Sequence, residues 1–84
     1  MEILAGRVRN YYKKINVASI EVTESLKVGD LLHIIGSVTD VDQVIYSIEI
    51  GRTQVKEAIN GQIAGIKVDV YVRKNDYIYK VESK

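Results

Sequence analysis

His33 is the one histidine of a chain of 84 residues that has no cysteine. A zinc centre needs several imidazole or thiolate ligands, and a Ser/His/Asp triad needs a histidine free to act as base. Neither can draw on a second histidine here, and His33 sits in "LLHIIG", where a half-exposed strand position accounts for it. Asp40 and Asp42, two apart, would share one strand face as a Mg²⁺ or Ca²⁺ site requires, but turn chemistry explains them more simply. In "GQIAGIKV" the glycines are too close, no hydroxyl residue follows Lys67, and the stretch alternates like a strand, so it is not a phosphate-binding loop. No catalytic residue, metal ligand or cofactor site is therefore assigned, and the expectation is a protein that is not an enzyme.

The stretch with the richest chemistry is "RVRNYYKK". Arg7, Arg9, Lys13 and Lys14 flank Tyr11 and Tyr12, and cations with tyrosine rings are the pairing that holds phosphates and stacks bases of single-stranded nucleic acid. The alternative is a solvated hairpin whose tyrosines pack across strands. "YVRKNDYIYK", Tyr71 to Lys80, repeats the mixture near the other end, and together the two predict a basic, tyrosine-bearing surface.

These residues must be positioned by strands. Val and Ile occupy 24 of 84 positions and Leu four, and Phe and Trp are absent; branching at Cβ favours pleated strands. The net charge is +1, but residues 1–20 carry four basic and one acidic side chain (+3), 21–50 one and six (−5), and 51–84 seven and four (+3). If the basic ends meet, one face is positive. No apolar run reaches the ~20 residues of a membrane span, and the N-terminus lacks a signal-peptide pattern. The absence of cysteine suits a reducing interior, so a cytoplasmic location is expected.

Alternation of period two runs along the chain. In "EILAGRVRNYY" it faces Leu4, Gly6 and Val8 inward and Arg7 and Arg9 outward. In the second strand it opposes Ala18, Ile20 and Val22 to Val17, Ser19 and Glu21. "KVGD" is a turn in which Gly29 supplies a positive φ and Asp30 bonds the local backbone. The third strand, "LLHIIG", places Leu32, Ile34 and Gly36 on one face and Leu31, His33 and Ile35 on the other, where they predict a protein contact surface. After a turn over "SVTDVDQ", "VIYSIEI" is a fourth strand. Val55, Ala58 and Ile59 have helical spacing, giving one short helical turn near residues 55–59. "IAGIKVDVYV", the turn "RKND" and "YIYKV" complete the chain. The fold class predicted is all-β: a small closed antiparallel barrel of about six strands, one domain over 1–84, closure being preferred because no proline protects an edge.

In order and spacing, "GRV" at 6–8, "SLKVGDLLHIIG" at 25–36, "VIYSIEIGR" at 44–52, "VKEAINGQIAGIKV" at 55–68 and "DYIYKV" at 76–81 resemble the second-domain β-barrel of the translational GTPases, as in elongation factor Tu. The resemblance extends to small free-standing elongation factor-like barrels and, more distantly, to the barrel at the C-terminus of some U32-type peptidases. It implies a non-enzymatic, translation-associated module binding RNA, either a tRNA 3′ end or a single strand, on its outer surface. Glu49 and Arg52 match the family's pocket for the terminal adenosine, while Ile63 replaces a polar asparagine. A salt bridge between Glu49 and Arg52 is the alternative role for that pair. The implied partners are RNA or tRNA and a ribosome-associated or GTPase protein, with no membrane. The second reading is an adaptor or homo-oligomer that uses Leu31, His33 and Ile35.

Overall fold

The computed structural model describes residues 1–82, so the last two positions of the expected 1–84 unit lie outside the described residues. The described chain is all-β, with ten strands and no helix: β1 Glu2–Tyr12, β2 Val17–Val22, β3 Leu26–Lys27, β4 Leu31–Ile35, β5 Asp40–Val44, β6 Ile48–Ile50, β7 Thr53–Val55, β8 Glu57–Ala58, β9 Ile63–Lys67 and β10 Tyr77–Val81. Eight form one sheet in the order β5-β4-β10-β1-β2-β9-β6-β7, and β3 pairs with β8 in a separate ribbon. Every pairing is antiparallel. Among the described residues no helix is long and apolar enough to cross a membrane.

One apolar core lies on the inner face. Alternation buries Ala18, Ile20 and Val22 on β2, Leu32 and Ile34 on β4 and Ala64 and Ile66 on β9, with Val8 and Ile78 between them. Each fully buried branched side chain stabilises the fold by about 1.5–3 kcal/mol relative to exposure. Leu26 and Ala58, paired across the small ribbon, are fully buried against the same core.

Two turns deliver the chain into β4 and β10, and they are built alike. In the first, Lys27 N donates to Asp30 Oδ2 (2.9 Å) and Asp30 N to Lys27 O (3.0 Å), with Gly29 at φ 97°. In the second, Arg73 N donates to Asp76 Oδ2 (2.8 Å) and Asp76 N to Arg73 O (3.0 Å), with Asn75 at φ 77°. Glycine and asparagine are the residues that tolerate this backbone region.

The structure corrects several expectations. There are ten strands instead of about six, because "VIYSIEI" breaks after Val44 and "SVTDVDQ" becomes a turn followed by β5. Asp40 and Asp42 accordingly share the exposed face of a strand and are not turn residues. The helical turn near residues 55–59 is absent: these positions are β7 and β8, Leu26 pairs with Ala58, Val28 N donates to Lys56 O, and Ile59 points outward. A single helical turn gains too few hydrogen bonds to compete with that ribbon.

The inward set Leu4, Gly6 and Val8 is also revised. A bulge at Ala5 leaves Leu4 45% exposed and buries Ala5 and Gly6, and the Ala5 carbonyl accepts from Thr23 N (2.8 Å) and Glu24 N (3.3 Å). At Gly6 a Cβ would stand 2.7 Å from Glu21 O, so β1 and β2 approach as closely as they do only without a side chain there. A second bulge, at Arg9, keeps both Arg9 and Asn10 on the outside.

The backbone ladder does not close, and β5 and β7 are its end strands. The edges are managed by other means than closure: β7 has three residues, and β5 carries Asp40 and Asp42. The buried Gln43 of β5 reaches across to the end of β9, its Nε2 donating to Lys67 O (2.9 Å) and Val44 O (3.2 Å) and its Oε1 accepting from Asp69 N (2.9 Å).

Candidate recognition surface

The basic segments from the two ends of the chain meet. The loop before β10 lies along β1, with Val8 N donating to Asp76 O (2.9 Å) and Asn75 N to Val8 O (2.8 Å). Arg7, Arg9, Asn10, Glu21, Lys74 and Asn75 line a groove of about 380 Å³. A second groove of about 400 Å³ shares Asn10 and Lys74 with it and adds Tyr11, Tyr71 and Arg73. The Arg7 guanidinium lies 5.1 Å from the Tyr77 ring centroid and donates to Asn75 Oδ1 at 3.3 Å. Arg73 lies 5.1 Å from the centroid of Tyr71, whose ring is also packed against Tyr11 at 4.7 Å and a 51° tilt. Tyr11 is half-buried, and its hydroxyl donates to Asn16 Oδ1 (3.0 Å).

The remaining residues of the expected nucleic-acid surface are dispersed. Lys13 and Lys14 are exposed on the turn after β1. Tyr12, Glu49 and Arg52 line a different groove, of about 710 Å³, together with Ile15, Val17 and Ile63. Ion pairs among the described residues join His33 to Glu2 and Asp40 and Lys80 to Glu82, so Glu49 and Arg52 do not form the salt bridge considered for them. The list read from sequence omits Tyr71, Arg73, Lys74 and Tyr77. The signal for them was the second cation–tyrosine stretch, but only the fold shows that they face β1.

On β4, Leu31, His33 and Ile35 do share the outer face, with Leu31 39% exposed and the other two half-buried. His33 is engaged on both sides: Nδ1 lies 2.9 Å from Glu2 Oε2 and Nε2 lies 2.6 Å from Asp40 Oδ1. Both ring nitrogens donate to carboxylates, which favours the imidazolium. The Asp40 hydrogen bond chiefly raises the His33 pKa above 6.5; burial opposes it, and Glu2 adds to it by hydrogen bonding and charge.

A pKa raised on folding contributes stability that is complete below 6.5 and is lost as pH rises through the higher folded-state value. Urea midpoints are therefore expected to fall as pH climbs from 6.5 through that value, and His33→Gln should flatten the fall. Ring-proton titration by NMR checks the cause directly: a pKa at or below 6.5 would contradict it.

No family model matches the chain. It is 42% identical over 79 residues to a Methanocaldococcus jannaschii protein described as an uncharacterized protease, a match that spans 93% of this chain and 19% of that protein. Among solved structures, the C-terminal domain of a putative U32 peptidase from Geobacillus thermoleovorans superposes with a TM-score of 0.88 at 22% identity, covering 94% of this chain and 92% of that one. The selenomethionine form of that domain gives 0.86 at 22% identity, covering 90% and 96%. The fold is therefore that of a U32 peptidase C-terminal domain.

These findings overturn the translation-factor resemblance and, with it, the translation-associated RNA-binding role and its elongation factor Tu pocket. They do not favour the adaptor or homo-oligomer built on Leu31, His33 and Ile35 either. The motifs that carried the resemblance are turns and alternating strands, which encode a fold that unrelated functions can share.

Proposed function

We propose that the chain is a non-catalytic recognition domain of the kind appended to protease-like proteins, and that it binds extended polypeptide on its outer surface. The observation that carries this reading is the match in extent. Nearly the whole chain aligns with about a fifth of a longer protein described as a protease, and a solved C-terminal domain of a putative peptidase has the same span. The non-catalytic role is supported by His33, whose two nitrogens are both taken by carboxylates and leave no base to activate a hydroxyl. In the same reading the curled ladder is a barrel whose seam Gln43 seals, and the absence of cysteine supports a cytoplasmic setting.

The test uses fluorescein-labelled unfolded peptides of acidic, neutral and basic composition, incubated with the purified chain. At least one class is expected to bind, as seen by fluorescence anisotropy, and none to be cleaved, as seen by mass spectrometry. Cleavage of any peptide, or failure of all three classes to bind, overturns the proposal.

A further inference from the structure

The trough that runs along β1 and the loop before β10 is lined by cations without carboxylate partners among the described residues, and two of them, Arg7 and Arg73, are held in place. Arg7 and Arg73 are each stacked on a tyrosine, and Asn75 accepts from Arg7. The backbone is set by the fold on both sides: Asp76, only 4% exposed, locks the Arg73 turn, and the bulge at Arg9 brings Asn10 to the outer face alongside Arg7 and Arg9. Arg7 stands opposite Glu21 in the β1–β2 register, yet none of Arg7, Arg9, Arg73 and Lys74 appears in an ion pair among the described residues. A guanidinium over a ring still presents N–H groups at its edge, all but the one that Arg7 gives to Asn75, and such an edge can pair with a carboxylate. Because less rotamer freedom remains to be lost, each such contact costs less to form.

We infer that this trough binds the carboxylates of an acidic, extended polypeptide segment. Two adjoining grooves that share Asn10 and Lys74 make a site longer than one side chain, so successive acidic residues are accommodated instead of a single small anion. A polynucleotide fits less well, since base stacking needs open aromatic faces. Here Tyr71 and Tyr77 remain partly exposed, but Tyr77 already carries Arg7, and Tyr71 carries both Arg73 and Tyr11, so neither ring offers two open faces. The inference rests on the recognition-domain reading for the choice of polypeptide, and it adds the charge class and the face.

The experiment titrates the full chain with acidic, neutral and basic labelled peptides and with a labelled oligouridylate, at low and physiological salt. The acidic peptide is expected to bind tightest, with affinity that falls as salt rises. Reversing both stacked arginines (Arg7→Glu with Arg73→Glu) should weaken it by about tenfold or more, and Arg9→Glu alone by a smaller factor. Lys13→Ala should leave it unchanged, with circular dichroism confirming that every variant is folded. Equal binding of all three peptides, or no response to the arginine reversals, overturns the inference while leaving the recognition-domain reading intact. Oligouridylate binding more tightly than the acidic peptide also overturns it. Binding of no peptide at all overturns both.

Discussion

Replacing Gln43 with Leu is expected to lower the unfolding free energy by about 2–4 kcal/mol, although the new side chain is apolar and similar in size. Gln43 is 5% exposed and satisfies three backbone groups at once: the carbonyls of Val44 and Lys67 and the amide of Asp69. Leucine leaves the Lys67 carbonyl and the Asp69 amide without that partner where β5 meets the end of β9, a part-buried place in which an unmet donor or acceptor costs more than the original bond contributed. Gln43→Glu should not rescue the loss. One carboxylate oxygen can still accept from Asp69 N, but the other then faces two carbonyls and repels them. Urea denaturation monitored by circular dichroism checks this, and a loss below about 0.5 kcal/mol for Leu would show that these three bonds contribute nothing special.

The second large effect is expected at Gly36. A Cβ there would collide with Asp76 Oδ1 and stand 2.8 Å from its Cγ. Asp76 cannot swing aside, because it is buried and its carboxylate holds the Arg73 amide in the turn before β10. Gly36→Ala should therefore cost about 1–3 kcal/mol through overpacking. The cause is separable by a double-mutant cycle: in an Asp76→Ala background, itself destabilised by loss of the turn, the additional cost of Gly36→Ala should shrink markedly. Equal costs in both backgrounds would mean that the strain lies elsewhere.

Much of the fold was legible where one strand face is buried and the other is not. Ala18, Ile20 and Val22, and Leu32 and Ile34, are inward as their alternation requires, because a one-residue slip would expose every one of them. The turns "KVGD" and "RKND" were legible because each pairs a residue that tolerates positive φ with an aspartate placed to accept from the backbone. The bulges at Ala5 and Arg9 were not: each inserts one residue into a ladder, the first against the distant β10 and the second against the neighbouring β2, and neither alanine nor arginine advertises it. The helical spacing of Val55, Ala58 and Ile59 was a coincidence across two short strands, of which β7 pairs with the adjacent β6 and β8 with the distant β3.

The candidate site divides in the same way. The mixture of arginines and tyrosines was visible at both ends of the chain, and so was the chance that they meet. That Arg7 would stack on Tyr77 and bond Asn75, 68 positions away, depends on the β1–β10 register, which no local pattern specifies. The same register sets Tyr11 against Tyr71 and leaves Tyr12 in a different groove, so the two adjacent tyrosines of the bare sequence do not act as one platform.

The pairing of Glu2 with Val81 places the first and last strands side by side in the middle of the sheet. Such a junction closes the long loop between Glu2 and Val81, so its entropy must be surrendered before its hydrogen bonds give any return. Refolding of these residues is therefore expected to take on the order of milliseconds to seconds, which stopped-flow circular dichroism checks. Until the final strand arrives, the opening strand presents a bare flank, and it is in that interval that chains are most prone to cross-pair and aggregate.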